Sequence, residues 1–316
     1  MFEFKFIDLF AGIGGTRKAF ESIGGECVFS SEWDEFCKKT YEANFKQVPY
    51  GDITELKEVK KHIKPHDVLV AGFPCQPFSS IGKREGFQHS TQGTLFYDIV
   101  RVLKARKPSA FLLENVPGLL THDNKKTFDT IKTVLREELK YEIFPKILDS
   151  ADYGLPQRRK RLYIVGFRIK NKNPEPISFK FPAKSKKKVY INAFLEENVK
   201  GYSISKHLQK VYLFKKKDGR PETINKHTKV QVKTLVASYH KIQRLTGTFV
   251  EDGPTGLRLL TANECKAIMG FEKDFEIPVS RTQMYRQFGN SVTIPVVKKI
   301  AFALVKKMEE LENGKN

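Results

Sequence analysis

Cysteine is scarce and scattered: Cys27, Cys37, Cys75 and Cys265 are the four in 316 residues, and no two form a Cys-x-x-Cys pair. That spacing excludes zinc ribbons and disulfide frameworks, gives no expectation of a metal, and suits a reducing compartment. The start, Met1 to Lys5, lacks the apolar core of a secretory signal. No apolar run is expected to reach membrane-spanning length, so a soluble intracellular chain with no membrane partner is expected. Acidic residues are also few: 36 Asp and Glu face 56 Lys and Arg, a formal charge of +20. Such an excess favours a polyanionic partner. Hydrophobic content of 40% supports a sizeable core, and the length suits one large domain or two unequal ones.

The stretch Val68 to Ser79 carries the sharpest chemical signal. Its apolar run, Val68–Ala71, reads as a buried strand closed by Gly72 and Pro74. Cys75 then lies just past the carboxyl end of a strand, where open α/β sheets place ligands. A thiol there can act as a nucleophile once its pKa is lowered or its proton taken up. A buried structural cysteine is the alternative.

The first strand pattern, Phe4–Phe10, enters Ala11-Gly12-Ile13-Gly14-Gly15 and then a helix over Thr16–Ile23. Strand, glycine turn and helix open a nucleotide-binding βαβ unit. The next strand, Glu26–Ser31, ends in Glu32-Trp33-Asp34. An acid roughly 20 residues past the glycines can accept from ribose hydroxyls. Trp33, the single tryptophan, offers a flat face to an adenine ring, or is an ordinary core aromatic. A third unit ends at Gly51-Asp52-Ile53, where Asp52 can accept from an exocyclic amino group. The turn lacks dinucleotide spacing and any basic residue, which favours an adenosyl ligand without phosphates.

A polar loop, 79–93, precedes a helix over Thr94–Lys104; loops of that length are usually lids or disordered. A fifth strand, Ser109–Leu113, delivers Glu114-Asn115 at its tip, where a desolvated carboxyl can share a proton. Lys126–Leu139 reads as helix, and Tyr141–Asp149 with Arg161–Phe167 as a closing strand pair. Arg159 and Arg161 alternate onto one face, placed to grip a carboxylate or phosphate. Residues 184–256 hold 16 Lys or Arg against 6 Asp or Glu, a net +10. Its basic loop, Lys215 to Arg220, and interleaved aromatics suggest a nucleic-acid-facing module of small strands and loops. Thr261 and Glu264 form a capping box for a helix stopped by Gly270. Gln287–Val292 reads as a turn before a helix from about Ile294 to Leu311.

Together the blocks FIDLFAGIGG (6–15), GFPCQPFS (72–79), ENV (114–116), QRRKRLYIVGF (157–167), RLLTANECKAIMGF (258–271) and QFGNSV (287–292) resemble the bacterial DNA cytosine-5 methyltransferases of restriction-modification systems. The resemblance implies a doubly wound, Rossmann-like α/β sheet over 1–183 and 276–316, and a smaller, mostly β and loop target-recognition domain over 184–275. It implies Cys75 as nucleophile on a flipped cytosine, Glu114 holding the ring, and Arg161 with Arg159 orienting them; Gln76, Ser79 and Asn115 belong to the same motifs. It implies S-adenosylmethionine as cofactor, its pocket lined by Phe10, Ala11, Gly12, Ile13, Gly14, Gly15, Glu32, Trp33, Asp52, Ile53, Pro74, Leu95, Asn290, Ser291 and Val292. Thr234 and Leu235 match the family's backbone-contact dipeptide, and Ser79, Ile81, Lys83 and Arg220 are further DNA candidates. Ile81 stands where a compact relative has a polar residue filling the flipping gap. A monomer acting on double-stranded DNA in a bacterial cytoplasm, with a restriction endonuclease as functional partner, completes the expectation. The alternatives are a tRNA methyltransferase on the same blocks, a catalytically idle DNA-binding protein and an NAD-dependent dehydrogenase. The long basic segment, the intact Cys75, Glu114 and Arg161, and the missing pyrophosphate spacing respectively weigh against them.

Overall fold

Side-chain alternation builds two cores on one sheet. In β1 (Phe4–Leu9), Phe4 and Phe6 are buried in one cluster and Ile7 and Leu9 in another. The computed structural model describes residues 3–74, 95–170 and 176–314. After β1 come α1 (Gly15–Glu21), β2 (Gly25–Ser31), α2 (Glu35–Phe45), a short α3 (Val59–His62), β3 (Val68–Gly72), α4 (Leu95–Arg106) and β4 (Ala110–Asn115). The first half ends with α5 (Lys126–Thr133), β5 (Tyr141–Asp149) and β6 (Lys160–Arg168). The same alternation recurs in β3, β4 and β6: Val68, Leu112 and Val165 join the first cluster, Leu69, Phe111 and Ile164 the second. Strands buried on both faces need helices on both. Phe20 of α1 covers one face, and Phe96 of α4 with Ile131 of α5 the other.

The described strands form one six-stranded sheet in the order β2-β1-β3-β4-β6-β5 and a separate two-stranded pair. β2, β1, β3 and β4 run parallel, and β6 is antiparallel to both neighbours. The doubly wound expectation holds. The order reverses between β1 and β3, so their carboxyl ends flank the crevice where such sheets bind ligands.

Four local expectations need correction. No strand precedes Asp52: Tyr50 makes only an isolated bridge to Ser31, and Pro49 beside it has no N–H for a ladder. The helix from Lys126 turns into a π-helical turn over Val134–Glu138 before β5. Gln287–Asn290 is not a turn but the end of α8 (Arg281–Asn290), which follows α7 (Ala262–Met269); only Ser291–Thr293 separates it from α9 (Ile294–Glu312). Finally, α8 and α9 do contain an apolar window long enough to cross a membrane, and 61% of it is buried. Ile300, Ala301 and Leu304 put it in the core, packed in the same cluster as Phe20.

The segment after residue 184 is sparsely structured. It holds a three-residue α6 (Lys206–Leu208) and the parallel pair β7 (Glu222–Ile224) and β8 (Thr248–Val250). Its buried Leu213, Tyr239 and Phe249 belong to the same core cluster as Phe6 and Ile300. Arg258 is fully buried and organises it. Its guanidinium donates to Asp252 (2.8 Å), to both Glu264 oxygens (2.9 and 2.8 Å) and to the carbonyls of Glu196 (2.7 Å) and Leu259 (3.0 Å). Those bonds match the five N–H donors of arginine. Glu264 also accepts from the Thr261 amide (2.8 Å), completing the capping box of α7.

Asp8 is a buried acid in β1 whose oxygens lack a well-formed hydrogen bond among the described residues. Burial pushes its pKa up to about 8, against the pull of Arg17. The folded state therefore keeps a proton that the unfolded chain has released, and stability falls as pH rises from the ordinary 3.8 through about 8. Asp8→Asn is expected to raise the melting temperature most at pH 9, with the gain shrinking towards pH 5. A gain independent of pH would show that Asp8 does not titrate in this range.

Candidate active site

The glycine turn after β1 is held by geometry that only glycine tolerates at one point. Gly14 has φ +81°, and a Cβ there would lie 2.1 Å from the Phe45 ring of α2. Gly12 (φ +55°) instead has, among the described residues, no atom within 4 Å of a Cβ. The turn is tied to the end of β2: the Ala11 amide donates to the Ser31 carbonyl (2.9 Å), and the Gly12 amide to Glu32 Oε2 (2.7 Å). Glu32 Oε1 accepts from the Asp34 amide (2.8 Å). Burial lifts the Glu32 pKa, and the Asp34 and Gly12 amides draw it back. Next to it Trp33 is 70% exposed, so it is no core aromatic. Asp52 accepts from the Thr54 amide (2.9 Å), starting a 3-10 turn, Ile53–Glu55, with Ile53 buried. Phe10, at φ 57°, is partly buried, and Ala11, Ile13 and Gly15 are buried. Leu95 opens α4, and Pro74 is exposed just beyond β3.

The two ends of the chain meet here. A Cβ on Gly15 would lie 2.9 Å from Ser291 Oγ and 3.2 Å from Val292. Asn290 is exposed beside them at the end of α8. Gln287 fixes this contact, accepting from Thr40 Oγ1 (3.0 Å) and donating to the Phe36 carbonyl of α2 (2.9 Å).

The carboxyl ends of β3 and β4 hold the second part of the site. Gly72 pairs with Glu114, and a Cβ on Gly72 would lie 3.6 Å from the Glu114 carboxylate. Arg161 of β6 grips that carboxylate, Nε to Oε1 at 3.1 Å. Burial raises the Glu114 pKa, and first Arg161, then Arg159, pull it down. Asn115 reaches back: its Nδ2 donates to the Phe73 carbonyl (2.9 Å), anchoring the residue two before Cys75. Cys75, Gln76, Ser79, Ile81 and Lys83 lie outside the described residues, as does the loop 79–93.

Arg159 corrects the expectation that both arginines grip a carboxylate or phosphate. It is 2% exposed and donates to three backbone carbonyls: Leu235 (3.0 Å), Gly289 (2.9 Å) and Ser291 (2.7 Å). Burial, then the neighbouring Arg161, pulls its pKa down to about 9, which leaves it a cation at neutral pH. Leu235 is held again by Gln157, whose Oε1 accepts from its amide (2.7 Å), and Thr234 donates to the Arg158 carbonyl (2.7 Å). Thr234 and Leu235 are thus brought to the site edge. Arg220 is exposed in the basic loop, and its guanidinium makes no bond to these groups. Gln157 and Gln287 carry no local sequence signal; each is a lone amide whose side-chain partners lie more than 70 residues away.

Gly289 lets α8 approach the segment that carries Leu235: a Cβ there would lie 2.1 Å from the Ala237 nitrogen and 2.4 Å from the Val236 carbonyl carbon. Both obstacles are backbone, so Gly289→Ala is expected to cost on the order of 1–3 kcal/mol in urea unfolding. An unchanged midpoint would mean that residues 236–237 move aside freely.

A family profile described as C-5 cytosine-specific DNA methylase matches residues 4–306. The Type II methyltransferase M.MspI of Moraxella sp is 59% identical over 299 residues, covering 95% of this chain and 70% of that protein. M.BsuFI of Bacillus subtilis, also a Type II methyltransferase, is 56% identical over 306 residues, covering 96% and 73%. Among solved structures, the S. pombe Dnmt2 methyltransferase superposes with a TM-score of 0.76 over 96% of this chain and 99% of that one; at 21% identity it speaks for the fold alone. The profile spans the glycine turn, Glu114 and Ser291 together, and the chain belongs to the C-5 cytosine-specific DNA methylases: it is an S-adenosylmethionine-dependent DNA cytosine-5 methyltransferase.

Proposed function

We propose that Cys75, Glu114 and Arg161 form the catalytic centre, and that the observation carrying this reading is the Arg161-held Glu114 carboxylate beside the carboxyl end of β3, from which the chain runs directly into Cys75. Carbon 5 of cytosine is a weak nucleophile. Attack by the Cys75 thiolate on carbon 6 makes it electron-rich, provided the ring's gathering charge is neutralised. Glu114 is suited to that: burial favours its protonated form, and Arg161 orients it. Once carbon 5 carries the new methyl group, its proton passes to a base, the electron pair left behind restores the 5,6 double bond, and Cys75 leaves as thiolate. Asn115 fixes Phe73 and so the approach of Cys75; Arg159 acts by holding Leu235, Gly289 and Ser291 around the centre. Carbon 6 is inaccessible in a stacked duplex, so the cytosine is flipped out. Gln76 and Ser79 are proposed beside it, and Ser79, Ile81 and Lys83 on the DNA side.

The glycine turn suits S-adenosylmethionine. Each Glu32 oxygen holds one amide, and an ionised carboxylate has about four lone-pair sites, leaving room for ribose hydroxyls. Trp33 offers an exposed flat face, and no atom of the described residues lies within 4 Å of a Cβ built on Gly12. Arg17, the arginine of α1, is engaged by Glu21, Tyr41 and Gln47, so nothing in the turn neutralises a phosphate. When bound, the cofactor supplies the methyl group. Phe10, Ile13, Asp52, Ile53, Pro74, Leu95, Asn290, Ser291 and Val292 complete the proposed pocket. Residues 184–275 form the target-recognition part, with Thr234, Leu235 and Arg220 facing the duplex. The Type II designation of the relatives fits a role in protecting cellular DNA in a bacterial cytoplasm; action as a monomer, with a restriction endonuclease as functional partner, is part of the same proposal.

Incubating the protein with unmethylated plasmid and S-adenosylmethionine, then bisulfite sequencing, is expected to show protected cytosines in one recurring context. No protection by folded, cofactor-bound protein would redirect the search to structured RNA. DNA carrying 5-fluorocytosine is expected to trap a denaturation-stable adduct that Cys75→Ser abolishes while specific binding persists; no adduct from active protein would remove the covalent route. Arg161→Ala takes away the main cation opposing burial, so the limb of the kcat/KM profile governed by Glu114 is expected to move to higher pH. A limb that stays in place, with activity merely lower, would separate Arg161 from the titration of Glu114.

A further inference from the structure

The basic loop of the recognition segment is not free chain. Segments 209–220 and 238–246 together carry seven Lys or Arg (210, 215, 216, 217, 220, 241 and 244) and one acid, Asp218. Arg244 is the exception among these cations in being buried. Its Nε donates to the Leu213 carbonyl (2.8 Å), and its Nη2 to the Lys216 carbonyl (3.2 Å) and to the Asp218 carboxylate. Asp218 in turn accepts from the Arg220 amide (3.2 Å), and the Arg244 bond is the main cause holding its carboxyl below the ordinary range. Leu213 is fully buried beneath the loop.

This clasp leaves a charged and aromatic face outward. Lys215, Lys216 and Lys217 are exposed, the Lys215 amine lies 5.8 Å from the centre of the Tyr212 ring, and Phe214 and Leu245 are 46% and 57% exposed. The single acid in the patch is already neutralised by a buried partner. A surface of cations with interleaved flat side chains and no free acid is complementary to a nucleic-acid backbone. Fixing a loop before binding reduces the ordering cost paid on association.

We propose that Arg244 is a positioning residue for DNA recognition: clasped to Asp218, it preorganises the loop Tyr212–Arg220 as a contact surface for the target duplex. The inference rests on the reading of residues 184–275 as the recognition part and adds the element that does the contacting and the clasp that shapes it. Lysine is a poor substitute for Arg244, because one ammonium cannot span two carbonyls and a carboxylate in a fixed fork.

The test uses the full chain with Arg244→Lys, Asp218→Asn, Asp218→Glu and the triple variant Lys215→Ala, Lys216→Ala, Lys217→Ala. For Arg244→Lys and Asp218→Asn, the KM for duplex is expected to rise about tenfold with kcat within about twofold. Asp218→Glu keeps the charge and is expected to restore the parental KM, and S-adenosylmethionine affinity is expected to be unchanged throughout. In the triple variant, the slope of log binding constant against log salt is expected to shrink by about 2–3, at roughly 0.9 per phosphate contact. A triple variant with the parental KM and salt slope would take this loop off the DNA. If Arg244→Lys and Asp218→Asn lower kcat, cofactor affinity and melting temperature together, the clasp is general packing and the proposal fails. Parent protein that methylates duplex while all variants match it sinks this inference alone; parent protein that methylates no duplex sinks the functional reading with it.

Discussion

A single buried guanidinium sets the shape of the site. Arg159 leaves the sheet at the start of β6 and meets carbonyls from two remote places, Leu235 and the Gly289–Ser291 corner. Three separate stretches of chain therefore converge on one planar cation with its donors in a fixed fork. Removing it would leave three buried carbonyls without partners, each costing about 1–3 kcal/mol. The close approach of Gly289 to Ala237 is the steric counterpart of the same constraint. Ser291 and Val292 are thereby pressed against Gly15, which connects the catalytic end of the sheet to its cofactor end.

The sheet order explains why so few residues can form both sites. β1 and β3 are neighbours whose connections depart in opposite directions, so the glycine turn after β1 and the Phe73-Pro74 exit after β3 open into one crevice. β4 adds Glu114 one strand further, and β6, running the other way, enters with Arg161 at the same end. An antiparallel strand in that position is what allows residues at the beginning of β6 to face residues at the end of β4.

Much of this was legible in the sequence, for identifiable reasons. A short apolar run closed by Gly72 and Pro74, or one followed by Gly12 and Gly14, marks buried strands and their turns locally. Thr261 and Glu264 are three residues apart and specify their own cap. What was misread depends on distant partners. Gly289-Asn290 carries a turn signal, yet it lies in a helix, and Gly289 answers the backbone of Val236 and Ala237, beyond β8 and α7 in the chain, rather than a local bend. Alternation placed Arg159 and Arg161 on one face but gave no information on which acceptors lay there. Gln157 and Gln287 had no local pattern at all. Pro49 did carry a local sign that pairing before Asp52 would stop at the single Tyr50 bridge.

The four buried arginines among the described residues divide into two electrostatic kinds, and Arg17, paired with Glu21, is of the first. Arg258 is matched by Asp252 and Glu264, and Arg244 by Asp218, so each adds little net field beyond its own surroundings. Arg159 is hydrogen-bonded only to neutral carbonyls, and its charge remains available. Carbonyl dipoles solvate a cation without cancelling it, whereas a carboxylate cancels it at any distance beyond a few ångströms. The uncompensated charge therefore sits next to Glu114, where it adds to Arg161 in opposing the burial that would keep this carboxyl protonated. Burial raises the Glu114 pKa while Arg161 and Arg159 oppose that rise, and Arg159 is the same group that ties Leu235, Gly289 and Ser291 together, so one cation serves both packing and acidity.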